Sequence, residues 1–144
     1  METLLGLEYN VWWFLVFGGV MTGYAILDGF DLGAGALHLF LKKENSRRIA
    51  LNAIGPVWDG NEVWLVIAGG VLFAGFPVAY AAIFSAFYVP VMIFLVGVIW
   101  RGVAIEFRSK EPGTTWRMIW DFIYSFASIV ISLSLGLMLG NVAL

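Results

Sequence analysis

Val63–Trp100 reads VWLVIAGGVLFAGFPVAYAAIFSAFYVPVMIFLVGVIW, 38 residues without a charge. As one straight helix it would reach about 57 Å, nearly twice the roughly 30 Å hydrocarbon core of a bilayer. It must therefore turn back on itself. Gly75-Phe76-Pro77 supplies the break, because proline lacks a backbone donor and biases the preceding residue away from helix. Outward from this stretch, Tyr9–Leu27 and Phe122–Leu144 are also uncharged, each long enough for one crossing. The expected fold is an all-α, polytopic membrane four-helix bundle, one transmembrane domain over residues 1–144, with helices at about 10–41, 50–74, 78–106 and 117–142.

Composition agrees with that reading. Of 144 residues, 61% are apolar and 12% charged, against about 25% charged in a typical soluble domain. The mean hydropathy is +0.90. Disorder, a nucleic-acid module and a secreted disulfide scaffold are excluded, and without cysteine there is no disulfide, thiolate nucleophile or iron–sulfur ligand. All eight basic residues fall in two regions: Lys42, Lys43, Arg47 and Arg48 after the first helix, and Arg101, Arg108, Lys110 and Arg117 around the end of the third. The lead, with Glu2 and Glu8, the turn at Gly75–Pro77 and the tail after Gly140 carry none. By the positive-inside rule both basic regions face the cytoplasm and both termini face outside, on the periplasmic side. A signal peptide is not expected, since acids stand where a positive n-region would.

Acids inside such segments are costly and point to function by default. Counted at 1.5 Å per residue, Asp28 and Asp31 fall about 25 and 30 Å below the outer boundary, Asp59 about 21 Å and Glu62 about 16 Å. Each pair is spaced i, i+3, so its members can share a helix face. Carboxyls grouped in low dielectric exchange protons near neutral pH, which a proton relay requires, and Asn61, Asn52 or water could complete the hydrogen bonds. The competing reading is that the acids cap broken helix ends or pair with Arg101 and the basic loops. Pro56 would open the backbone one turn before Gly60 and make room for water beside Asp59.

Other residues carry less. His38 is the sole histidine, so a bis-histidine haem site within this chain is impossible; it reads first as an interfacial polar residue. The methionines read as packing, and Trp12, Trp13, Trp116 and Trp120 as interfacial anchors. Trp58 and Trp64 lie deeper and call for a partner for each indole N–H, or for packing against a neighbouring subunit. The glycines near Asp28 and Asp59 read as close helix contacts.

Two motifs carry a resemblance. Thr22–Gly33, TGYAILDGFDLG, is similar to the D-G-F-D-x-G segment of subunit II of the cytochrome bd ubiquinol oxidases, and Ile54–Leu65, IGPVWDGNEVWL, to its W-D-G-N-[EQ]-V-W-L signature. Similarity continues through Phe84–Tyr88, Arg101–Arg108 and Trp116–Asp121, covering nearly the whole chain as the N-terminal half of that subunit. The resemblance implies a subunit of a terminal oxidase of the bacterial cytoplasmic (inner) membrane, which oxidises quinol, reduces oxygen to water and draws protons from the cytoplasm. It places haem b and haem d in the partner, subunit I, and no haem ligand, catalytic residue or metal in this chain.

By the same resemblance Asp59 lies on a proton path toward haem d, with Asp28 and Asp31 nearer its cytoplasmic mouth; the reading of depth and hydrogen bonding adds Glu62 and Asn61 to that path. Trp64 and Arg101, with Trp58, belong to an oxygen path or to structure, and a structural quinone can sit in the subunit. The partners implied are subunit I, quinol and membrane lipid, with a second half of subunit II or small accessory subunits besides. Members of that family run to about eight helices in two similar halves, whereas this chain has four. The alternative is a small four-helix proton-coupled transporter, for which Glu62 at midplane would suit; four acids staggered over one half of the membrane suit one-sided uptake better.

Overall fold

The computed structural model describes residues 3–4 and 6–143; Met1, Glu2, Leu5 and Leu144 lie outside the described residues. A hairpin pairs Thr3–Leu4 with Leu7–Glu8 around Gly6, whose φ of +83° favours glycine. Trp12 ties it to the first helix by donating its indole N–H to the Leu4 carbonyl at 2.8 Å. Helices follow in the order α1 (Tyr9–Leu37), α2 (Glu44–Ile54), α3 (Trp58–Gly75), α4 (Pro77–Ala86), α5 (Tyr88–Phe107) and α6 (Thr114–Ala143), with a 3-10 turn, His38–Phe40, extending α1.

The chain is all-helical in character, with breaks where proline removes a donor. The helix expected over 50–74 starts at Glu44 and is interrupted beside Pro56, where Val57 N–H bonds the Ile54 carbonyl in a tighter turn; α2 and α3 meet at 48°. The helix expected over 78–106 is split at Phe87, because Pro90 has no N–H to give the Ala86 carbonyl. Pro77 occupies the first turn of α4, the position where proline costs least. By length and composition α1 with its 3-10 extension, α5 and α6 can each cross a membrane, and the pair α2–α3 counts as a fourth crossing when taken as one broken span.

Packing is antiparallel, and glycine permits the closest approaches. Trp13 lies on Gly75 and Trp64 on Gly23 along α1 and α3, while Ile131 of α6 lies on Gly97 of α5. At Gly35 of α1 an added Cβ would stand 2.0 Å from Ser128 Oγ, so α6 fits only against a bare backbone there. The outside is apolar: Val78 is 83% exposed and Val66 73%. The largest fully buried side chains instead include Arg101, Arg108, His38, Asp28, Asp31 and Asp121. Apolar exterior around a charged interior is the distribution of a multi-pass membrane protein.

Candidate functional site

One face of α1 carries Tyr24, Asp28, Asp31 and Gly35, continued by His38 in the 3-10 turn, and all five are buried. Steps of three and four residues keep them in register on a helical cylinder. α5 presents Phe94, Gly97, Arg101 and Ala104 inward by the same spacing. Arg101, with none of its surface exposed, thereby reaches the acids of α1 from the opposite side.

Its Nη2 donates to Asp28 Oδ1 at 2.6 Å and stands 4.0 Å from Asp31 Oδ2, while Nη1 lies 3.4 Å from Glu62 Oε1 of α3. Asn61 of α3 donates its amide N–H to Asp31 Oδ2 at 2.8 Å. Tyr124 of α6 donates its hydroxyl to the Asp31 backbone carbonyl at 3.4 Å. Three carboxyls from two helices thus surround one buried guanidinium. Several polar atoms here are buried without a hydrogen-bond partner among the described residues: Asp28 Oδ2, Asp31 Oδ1, Arg101 Nε and the Tyr24 hydroxyl. Buried groups of this kind are commonly completed by water.

Of the residues singled out in the sequence, Asp28, Asp31, Asn61, Glu62 and Arg101 are thus brought together. Asp59 is not: it sits in the first turn of α3, exposed, and makes no ion pair with the described residues. Trp58 packs its ring edge against Gly102, next to Arg101, where an added Cβ would come within 3.1 Å. Trp64 packs its ring against Gly23, with 37% of its surface exposed.

A second buried cluster, beyond the residues singled out as a site, lies at the end of the bundle that carries the basic loops. Asp121 of α6 receives hydrogen bonds from Arg108, from Arg47 Nη1 at 3.0 Å, and lies 2.5 Å from His38 Nε2. Glu44 bonds Arg108 at 2.8 Å and Arg117 at 3.2 Å. Burial weakens the charged form of Arg108, but the bonds to Asp121 and Glu44 outweigh it and raise its pKa. The stripe on α1 was a signal for this cluster: His38 stands seven residues from Asp31, two turns along the same face.

The family model of cytochrome bd terminal oxidase subunit II matches residues 9–144. Over 132 residues, 91% of this chain, the sequence is 46% identical to cytochrome bd-I ubiquinol oxidase subunit 2 of Escherichia coli strain K12, of which it covers 35%. It is 42% identical over 132 residues to the probable cytochrome oxidase subunit 2 of Haemophilus influenzae, covering 91% of this chain and 35% of that protein. With cytochrome bd ubiquinol oxidase subunit 2 of Bacillus subtilis strain 168 the figures are 41% over 127 residues, 88% of this chain and 38% of the relative. The chain spans little more than a third of the length of these curated relatives.

Proposed function

Because the chain belongs to the cytochrome bd terminal oxidase subunit II family, we propose that it serves a bd-type quinol oxidase as a haem-free subunit that stabilises the haem-bearing partner and conducts protons to it from the cytoplasm. In this reading residues 1–144 form one transmembrane unit of the bacterial cytoplasmic membrane, with basic loops inside and both ends outside. Haems b and d reside in subunit I, where they carry out quinol oxidation and oxygen reduction. Nε2 of His38 is committed to Asp121 and the ring is fully buried, an arrangement that does not suit an axial ligand.

The observation that carries the proposal is the buried Arg101 cluster. In this reading Asp31 and Asn61 form its cytoplasmic side and Asp28 and Glu62 continue it inward, while Arg101 holds the acids close and offsets one of their charges. Asp59, exposed at the start of α3, would join the path where the partner covers it. Trp58 and Trp64 frame the cluster against Gly102 and Gly23, positions suited to an oxygen path or to interface packing. Quinol, lipid, the rest of subunit II and small accessory subunits complete the proposed assembly, with a structural quinone among its contents.

The test is quinol-driven oxygen consumption by the complete oxidase. Asp28→Asn, Glu62→Gln and Asp59→Asn are expected to lower turnover by about two orders of magnitude, the scale of a lost proton-transfer group, with the haem spectrum retained. Full activity in all three would sink the proton-path reading, and loss of haem together with activity would point to assembly instead.

A further inference from the structure

A cavity of about 330 Å³ opens at the basic-loop end of the bundle, walled by Glu44 and Arg47 of α2 and by Thr114, Arg117, Met118 and Asp121 of α6. Its charges do not cancel. Arg47 and Arg108 pair with Asp121, and Arg108 and Arg117 with Glu44, so three guanidiniums stand against two carboxylates. The segments that bring them together, 42–48 and 108–117, carry seven of the chain's eight basic residues and two acids, Glu44 and Glu111. A surface of that balance attracts anions.

Donors at the cavity are also left over. Arg117 gives Nη1 to Glu44 at 3.2 Å, while its Nε is buried with no hydrogen-bond partner among the described residues. Beside it α6 starts without a side-chain cap: the Arg117 N–H bonds the Gly113 carbonyl, which puts Gly113, a residue with no side chain, at the cap position. The N–H groups of Thr114, Thr115 and Trp116 belong to that first turn and have no carbonyl within the helix to meet. A surplus guanidinium, a buried donor and an open helix start together suit a group with several acceptor oxygens, as a phosphate has.

The helix below the cavity distinguishes a lipid phosphate from a free one. Met118 begins a stripe on α6 that Phe122, Phe126 and Ile129 continue at steps of four, four and three residues, every one of them exposed. Trp116 and Trp120, residues that anchor at the headgroup level, lie in the same two turns. A phosphate seated at Arg117 and esterified to a glycerol can lay its acyl chains along that stripe, an interaction closed to inorganic phosphate.

We propose that this cavity binds the phosphodiester of an anionic phospholipid of the cytoplasmic leaflet, an inference that rests on the orientation and the assembly proposed above. Arg117 and the first turn of α6 receive the phosphate oxygens, and Arg47 and Arg108 add positive field through their pairs. Glu44 competes for Arg117 and so limits the affinity. A zwitterionic lipid fits less well, because its own cation would enter a site that already has a positive charge in excess.

Delipidated complete oxidase in detergent, titrated with phosphatidylglycerol, tests this through the midpoint of thermal unfolding. The midpoint is expected to rise saturably with phosphatidylglycerol, less with phosphatidylcholine and not with inorganic phosphate at the same concentration. Arg117→Gln should need about fivefold more phosphatidylglycerol, the share of one basic side chain at an anionic surface, and Glu44→Gln, which frees the guanidinium, should need less. Equal responses to the two lipids, or a wild-type titration in R117Q, would overturn the proposal, and so would an equal rise with inorganic phosphate. If R117Q does not assemble, Thr114→Val keeps every charge and removes one donor; it should also need more lipid, and a wild-type titration in T114V overturns the proposal in its turn. Oxygen consumption separates this site from the proton path. Full turnover in Asp28→Asn, Glu62→Gln and Asp59→Asn would remove the path and leave the lipid site standing, whereas an unshifted lipid titration in R117Q would remove the lipid site alone.

Discussion

Arg101 Nη2 and Asp28 Oδ1 stand 2.6 Å apart with both side chains buried, an ion pair sealed inside the bundle. Such a pair adds little over a well-packed apolar one, yet removing a single partner strands a charge. Arg101→Met is therefore expected to destabilise the protein by about 3–5 kcal/mol, and R101M combined with Asp28→Asn to recover part of the loss. Thermal unfolding in detergent measures both, and a wild-type midpoint for R101M would show that the acids do not depend on the guanidinium.

Gly35→Ala addresses the contact of α1 with α6. Its new methyl would meet Ser128 Oγ at 2.0 Å and Ser128 Cβ at 2.6 Å, so the helices must part. Overpacking of this kind costs about 1–3 kcal/mol. Ser128→Gly in the same chain removes both offending atoms and should restore the unfolding midpoint of G35A; an additive loss in the double variant would locate the strain elsewhere.

How far the site could be read in advance follows from particular residues. The uncharged run Val63–Trp100 and its proline fixed the turn between α3 and α4, and i, i+3 spacing put Asp28 and Asp31 on one face. The same spacing separates Asp59 from Glu62, yet the bend beside Pro56 starts α3 at Trp58 and leaves Asp59 exposed at its end while Glu62 faces Arg101. Local periodicity says which residues share a face and nothing of which neighbour that face meets. The His38–Asp121 contact, 83 residues apart in sequence, is of that second kind. Pro90, three residues past the break, stood inside the helix expected over 78–106, although its missing N–H is itself a breaker signal.

Asp121 and Glu44 bind the same Arg108 from opposite environments, and their substitutions should differ accordingly. Asp121 is 1% exposed and gathers His38, Arg47 and Arg108, whereas the Glu44 side chain is 48% exposed. Asp121→Asn leaves two guanidiniums facing a neutral amide and is expected to cost about 3–5 kcal/mol. Glu44→Gln should cost less than about 1 kcal/mol, and less still in high salt, because solvent screens its pairs. Melting curves at two ionic strengths separate the cases. Equal losses for the two variants would mean that burial does not set the strength of this network.

Asp59 and Asp31 divide stability from function most sharply. Asp31 is fully buried, with Oδ2 held by Asn61, so Asp31→Asn disturbs a packed polar contact and should lower the unfolding midpoint as well as turnover. Asp59 is exposed and pairs with no described residue, so Asp59→Asn should shift the midpoint of this chain by no more than about 2 °C, as surface substitutions do. On the proton-path proposal, the same change is expected to lower the turnover of the complete oxidase by about two orders of magnitude. A variant that is as stable as the wild type alone and inactive in the complex would assign Asp59 to the interface. A D59N chain that melts early on its own would instead show that the carboxyl holds the start of α3 in place.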